Sequence, residues 1–360
     1  MSTRCGSWIF VFCFSLVSGL AQQNGPAVQS EAAASVPLAS ADRRMTLDVV
    51  VTDKSGTAVS GLQQQDFTLL DNKQPSKIVS FHAVEGGAAT ADPPVEIILL
   101  VDEVNTTISK LAFERNEIEK FLRQNDAKLA RPASMVFLSD SGITVGNTST
   151  RNGNAIIADL EQKKLGLRTI GKSQGFYGAG DRLHLSVRTL ERLADYNAAK
   201  PGRKLLIWIS PGWPLLSGPE VALNPKGRQE LFNSIVAISD RLRRARITLY
   251  AVDPLGSEDE DRTRTYFYEN FLKPVRKAGQ ADLGNLALQV LAAQSGGRVL
   301  YASNDVAGEI AACDADANTF YVLSFDGLRG DGPNEYHGLE IEIDKPGLKV
   351  RTRSGYYAQP

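Results

Sequence analysis

Residues 95–101, Val95-Glu96-Ile97-Ile98-Leu99-Leu100-Val101, form a nearly unbroken apolar run that ends at Asp102 and the polar stretch Glu103-Val104-Asn105-Thr106-Thr107. A run of this length, rich in leucine and β-branched residues, reads as a strand buried on both faces. That is the mark of a parallel sheet covered by helices. Such sheets place their functional edge at the carboxyl ends of the strands. Asp102 falls at that end, so residues 102–107 are the first candidate for chemistry.

The segments that follow alternate between strand and helix. Apolar residues at Ile108, Leu111, Ala112, Ile118, Phe121 and Leu122 predict an amphipathic helix. Strands are expected at 134–138, 204–209, 247–252 and 298–301, with 143–145 as a short hairpin partner. Helices are expected at 154–164, 181–194, 229–245, 283–293 and 305–313. Asp181 is expected to cap the helix that starts there, after a glycine-rich loop over 166–180. Short strands with turn signals occupy 45–81 and recur from 319 to the end of the sequence. Pure β structure at both ends of an alternating centre suggests one small β-sandwich assembled from the two terminal segments. The expected fold is therefore α/β, with a central, mostly parallel sheet plus that sandwich.

The first residues read differently. Arg4, an apolar run over 8–17 and the small residues Gly19 and Ala21 have the order of a secretory signal peptide cut after Ala21. The apolar run is shorter than the roughly 20 residues that span a bilayer. The division expected is 1–21 signal, 22–44 flexible leader, 45–85 first part of the sandwich, 95–315 α/β domain and 316–360 second part. Export to the periplasm or the medium follows, with no membrane insertion after cleavage. Cys5 and Cys13 leave with the signal, and Cys313, among apolar and acidic neighbours, reads as structural.

The chain resembles the von Willebrand factor type A (VWFA)-related family of secreted acidobacterial proteins. The residues that carry the resemblance are 50–56 with 66–71, 100–102 with Asn105 and Thr106, 201–204, 207–210, 249–253, 295–298, 320–323 and 353–358. The resemblance implies a Rossmann-like domain flanked by β structure, and a binding role. In metal-competent von Willebrand A domains an Asp-x-Ser-x-Ser turn, a threonine from a second loop and an aspartate after the fourth strand hold Mg²⁺. A carboxylate of the partner completes the octahedron. Asp102 matches the first position and Thr106 replaces the second serine. Asp181 stands near the place of the threonine loop. Val104 and Pro211 occupy two ligand positions without an oxygen to offer. The resemblance thus implies at most a degenerate divalent-cation site on Asp102, Thr106 and Asp181. Without a metal, Asp102 instead anchors the turn that follows it, and Asn105, Thr106 and Asp181 cap helices.

Other chemistries lack their motifs. His82, His184 and His337 lie in separate segments, and there is no H-E-x-x-H, G-x-S-x-G, P-loop or G-x-G-x-x-G. A net charge of -1 gives no electrostatic case for nucleic acid. The arginine run 241–246 reads as the cationic end of a helix. The expectation is an exported, non-enzymatic, adhesion-type binding module, with Asn105, Ser210 and Trp213 as contact residues at the sheet edge. Its partner is expected to be protein, or a surface polysaccharide. The alternatives are a hydrolase using the acidic edge residues and a structural subunit of an envelope assembly.

Overall fold

The computed structural model describes residues 43–86, 95–146, 149–163, 175–214, 223–254, 268–301 and 303–360. The expected signal, nearly all of the leader and most of the linker before Val95 lie outside these residues. The chain is mixed α/β, with one central, mostly parallel sheet and two antiparallel sheets.

The strands are β1 (Arg44–Thr52), β2 (Phe67–Asp71), β3 (Gln74–Ser76), β4 (Ile78–Val84), β5 (Glu96–Asp102), β6 (Lys128–Ser139), β7 (Gly142–Val145), β8 (Thr150–Asn152), β9 (Lys204–Ile209), β10 (Ile247–Val252), β11 (Val299–Leu300), β12 (Phe320–Asp326), β13 (Glu335–Ile343), β14 (Lys349–Arg351) and β15 (Gly355–Ala358). The helices are α1 (Ile108–Leu122), α2 (Gly153–Gln162), α3 (Gly175–Ala198), α4 (Pro225–Arg244), α5 (Leu288–Gln294) and α6 (Val306–Ala315).

In the central sheet the order is β11-β10-β9-β5-β6-β7. All pairs along it are parallel except β6 with β7, and β8 also joins β6 antiparallel. β5 is the first strand of the sheet in the chain and lies inside it. Its side chains divide with the two-residue period of a strand. Ile97, Leu99 and Val101 enter one apolar cluster with α1, α2 and α6. Ile98 and Leu100 enter the other with α3, α4 and α5. Both faces are thus covered, which is why the sequence shows a continuous apolar run there instead of an alternating one.

The chain leaves β5 for β6 on one side and returns as β9 on the other. The order reverses between β5 and β9, and crevices for ligands form at such a switch point, outside the carboxyl ends of the strands. Asp102 ends β5, and Ser210 follows β9 at the same edge.

The antiparallel sheets, β14-β1-β12-β4 and β15-β13-β2-β3, each draw strands from both ends of the sequence. Leu47, Val49, Phe67, Leu69, Leu323, Phe325, Leu339 and Tyr356 place both sheets around one apolar cluster. The sandwich expected from the sequence is compatible with this arrangement. β15 and the first residues of β13 extend beyond the strands expected there.

α3 differs from its expected form. It begins at Gly175, through the glycine-containing stretch expected to be loop, so Asp181 lies within the helix and does not cap it. Residues 164–174 of that expected loop lie outside the described part.

Candidate functional site

The turn after β5 is organised by the Asp102 carboxylate, which is fully buried. One oxygen accepts the backbone N–H groups of Val104 at 3.0 Å and Asn105 at 2.9 Å. The other accepts the Asn105 amide at 2.8 Å and the Trp208 indole N–H at 2.9 Å. A carboxylate offers about four lone-pair positions, and these donors take all of them. A charge removed from water must be compensated locally, and here N–H dipoles do so. Trp208 comes from β9, so the bond ties the two strands that flank the switch point. Asn105 also donates to Ser186 of α3 at 3.0 Å, joining the turn to the helix layer behind it.

Of the residues expected at the site, the structure brings together Asp102 and Asn105, and it adds Trp208 and Ser186. Thr106 is adjacent and buried, but its hydroxyl has no hydrogen-bond partner among the described residues. The cap of α1 is Thr107, which accepts from the Lys110 backbone, and not Asn105 or Thr106. Asp181 is exposed, and Ser186, five positions further along α3, is the residue that reaches the Asp102 turn.

Ser210 is 1% exposed and its hydroxyl accepts the Gly212 N–H at 3.1 Å. Gly212 holds the turn at φ +100°, a backbone conformation that favours glycine, and the end of the Gln289 side chain lies where a Cβ would project. Trp213, expected as a contact residue, is 3% exposed and stands edge-on to Trp208, ring centroids 5.0 Å apart. Its role is therefore packing. The tryptophan pair gave no sequence signal beyond two aromatics near one strand end, and Trp208 as the partner of Asp102 was not legible.

Acidic side chains surround the turn. Glu114 of α1 is fully buried, and neither carboxyl oxygen has a hydrogen-bond partner among the described residues. Burial, then the charges of Asp102 and Glu103, raise its pKa well above the ordinary value. Glu309 of α6 is half-buried and is pushed up to about 7 by burial and by Asp253 and Asp305. Cys313 is fully buried, and burial raises its thiol pKa, which fits a packing role.

These residues do not fit the Mg²⁺ that the resemblance implies. Octahedral Mg²⁺ needs six oxygen ligands at close range. The Asp102 lone pairs are taken, Val104 and Pro211 bring no side-chain oxygen, and Asp181 is exposed on the helix. Among the described residues no cluster of three or more His, Cys, Asp or Glu side chains is placed to hold a metal.

The same rim carries the two most exposed large apolar side chains among the described residues, Ile108 at 59% and Tyr177 at 84%. They stand in the first turns of α1 and α3, on opposite faces of the sheet. A sequence reading misses them because Ile108 looks like part of a helix's apolar stripe and Tyr177 falls in a stretch that reads as glycine-rich loop.

No protein-family model matches the chain, and no curated protein does. Solved structures it is similar to include the human COPII-coat protein Sec24c, at 9% identity over 78% of this chain and 46% of that one, TM-score 0.34. Another is the pilus adhesin SpaC from Lactobacillus rhamnosus GG, at 10% identity over 84% and 43%, TM-score 0.37. A third is the SpRpn10 VWA domain, at 11% identity over 60% and 93%, TM-score 0.27. The chain spans less than half the length of Sec24c and of SpaC. No helix among the described residues is long and apolar enough to cross a membrane.

Proposed function

We propose that this chain is an exported, non-enzymatic binding module of the adhesion type, with a von Willebrand A-like domain carried on a β-sandwich built from both terminal segments. In this reading the metal-ion-dependent adhesion site has degenerated into a hydrogen-bonded turn, and Asn105 and Trp208 supply the positive ends that a cation would otherwise provide. The partner is a protein surface, gripped at the carboxyl rim of the parallel sheet.

The observation that carries this reading is what gathers at the carboxyl rim, where the buried Asp102 turn ties β5 to β9. The switch point and the exposed Ile108 and Tyr177 lie at the same rim, and exposed aromatic and aliphatic anchors are typical of interface centres. Burial of Asp102, Glu103 and Glu114 supports binding over hydrolysis, since carboxyl groups withdrawn from solvent do not meet a substrate.

The test is affinity capture from an envelope extract with Mg²⁺ or with EDTA, using wild type and the Tyr177→Ala and Ile108→Ala variants. A protein captured equally in both buffers, and lost or weakened at least about tenfold in one rim variant, supports the proposal. Capture that requires Mg²⁺ overturns the degenerate-site reading. Capture indifferent to both variants overturns the placement of the surface.

A further inference from the structure

A cavity of about 700 Å³ opens between the C-terminal half of α4, β15 and the connection from β12 to β13. α4 runs back from the carboxyl rim, so this cavity lies toward the amino edge of the parallel sheet, away from Asp102. Four arginines reach it from three separate parts of the chain: Arg43 before β1, Arg243 and Arg244 at the end of α4, and Arg329 after β12. The one acidic side chain among the described lining residues is Asp240, and both its oxygens are engaged by Arg243 and Arg244. Cations at the end of α4 complement the helix dipole, which accounts for Arg243 and Arg244. It does not account for Arg43 and Arg329, which belong to other elements and converge on the same space.

Among the described residues no acidic side chain pairs with either of those two arginines. The Arg43 Nε is buried without a hydrogen-bond partner among the described residues. No ion pair joins Arg329 to any described acid. A buried guanidinium nitrogen left unsatisfied is costly unless an acceptor arrives. The guanidinium fork matches the two oxygens of a carboxylate or phosphate. Met45 and Tyr357 add apolar wall beside the charged groups.

We infer that this cavity binds a small organic anion. Its carboxylate or phosphate sits on Arg43 and Arg329, with the Arg243–Arg244 pair adding positive potential, and its apolar body lies against Met45 and Tyr357. The site is independent of the rim.

The experiment is calorimetric titration of the whole protein with phenyl phosphate, with benzoate and with uncharged benzyl alcohol. Saturable binding of at least one anion is expected, with no saturation by the alcohol, and the tighter anion identifies the head group. The Arg43→Ala, Arg329→Ala double variant is expected to bind at least about tenfold more weakly, while Arg43→Lys, which keeps the charge and loses the fork, falls between. Should the double variant fail to fold, Arg329→Ala alone decides, since that side chain is exposed. No saturation by either anion up to about 10 mM overturns the inference, as does equal affinity in the decisive variant or equal binding of the alcohol.

Discussion

At the scale of single residues, Asp102 behaves as a structural anion. Removing it strands four N–H donors, three of them on residues within or beside a buried turn. Each buried donor left without an acceptor costs about 1–3 kcal/mol, although relaxation recovers part of the sum. Asp102→Ala is therefore expected to lower the unfolding free energy by about 3–5 kcal/mol, and Trp208→Phe by about 1–3 kcal/mol, read as urea midpoints at unchanged slope. A loss under about 1 kcal/mol for Asp102→Ala would contradict the assignment. Burial is the largest cause that opposes ionisation of both Glu309 and Glu114. Their folded pKa values lie above the unfolded value of 4.5. The stability they contribute is complete below that value and is lost as pH rises, through about 7 in the case of Glu309. Glu309→Gln, which needs no proton, is expected to flatten the fall in stability between about pH 5 and about pH 8. Glu114→Gln is expected to leave stability nearly unchanged at the acid end and to raise it at the basic end. Thermal unfolding across that range checks both, and a wild type no more pH-dependent than the variants would refute the idea.

At the scale of elements, Lys204 shows how two helices are seated. It is nearly fully buried at the amino end of β9, and its ammonium group donates to the carbonyls of Lys200, just beyond α3, and Ala245, just beyond α4. Burial, with the nearby Arg246 charge, lowers its pKa from 10.5 to about 8. Between those values the unfolded chain holds more protons than the folded one, so this group makes stability rise as pH climbs through that window. Lys204→Met should abolish that rise relative to wild type, measured as unfolding free energy at about pH 8 and about pH 10. Such a lysine is invisible in the sequence, where Arg203-Lys204 merely precedes a strand. The strand itself is plain, as are β5 and β10, because burial on both faces leaves an apolar run with no other explanation. Asp102 was legible for the same reason: a charge ending such a run needs a partner. Asp181 was misplaced because Gly175, Gly178 and Gly180 suggested loop, while tertiary packing carries α3 through them. Trp213 was misjudged because a proline-flanked turn at a sheet edge suggests exposure, and only the contact with Trp208 shows otherwise. Residues that act through partners distant in sequence, such as Ser186, leave no local pattern to read.

At the scale of the whole molecule, the two ends of the chain are interleaved. β1 pairs with β12 on one side and with β14 on the other. β4 pairs with β12, and β2 pairs with β13. Arg351 of β14 also reaches into the α/β part, to Asp316 at 2.6 Å, and Tyr250 of β10 donates to the same carboxylate at 2.9 Å. Apart from the edge strands β3 and β15, no strand of either antiparallel sheet can complete its ladder until the other end of the chain has arrived, and closing a loop of that size is slow. The parallel sheet closes its own contacts within a shorter span. In pulsed hydrogen exchange during refolding, β5, β9 and β10 are expected to gain protection first. β1 and β4 are expected to follow together with β12, in one later phase. Removing residues 349–358 should then strip protection from β1 and β2 as well, while β5 and β9 keep most of theirs. Protection of β1 before β12 would contradict the interleaving, because it would mean that the N-terminal strands find stable partners without the strands from the other end.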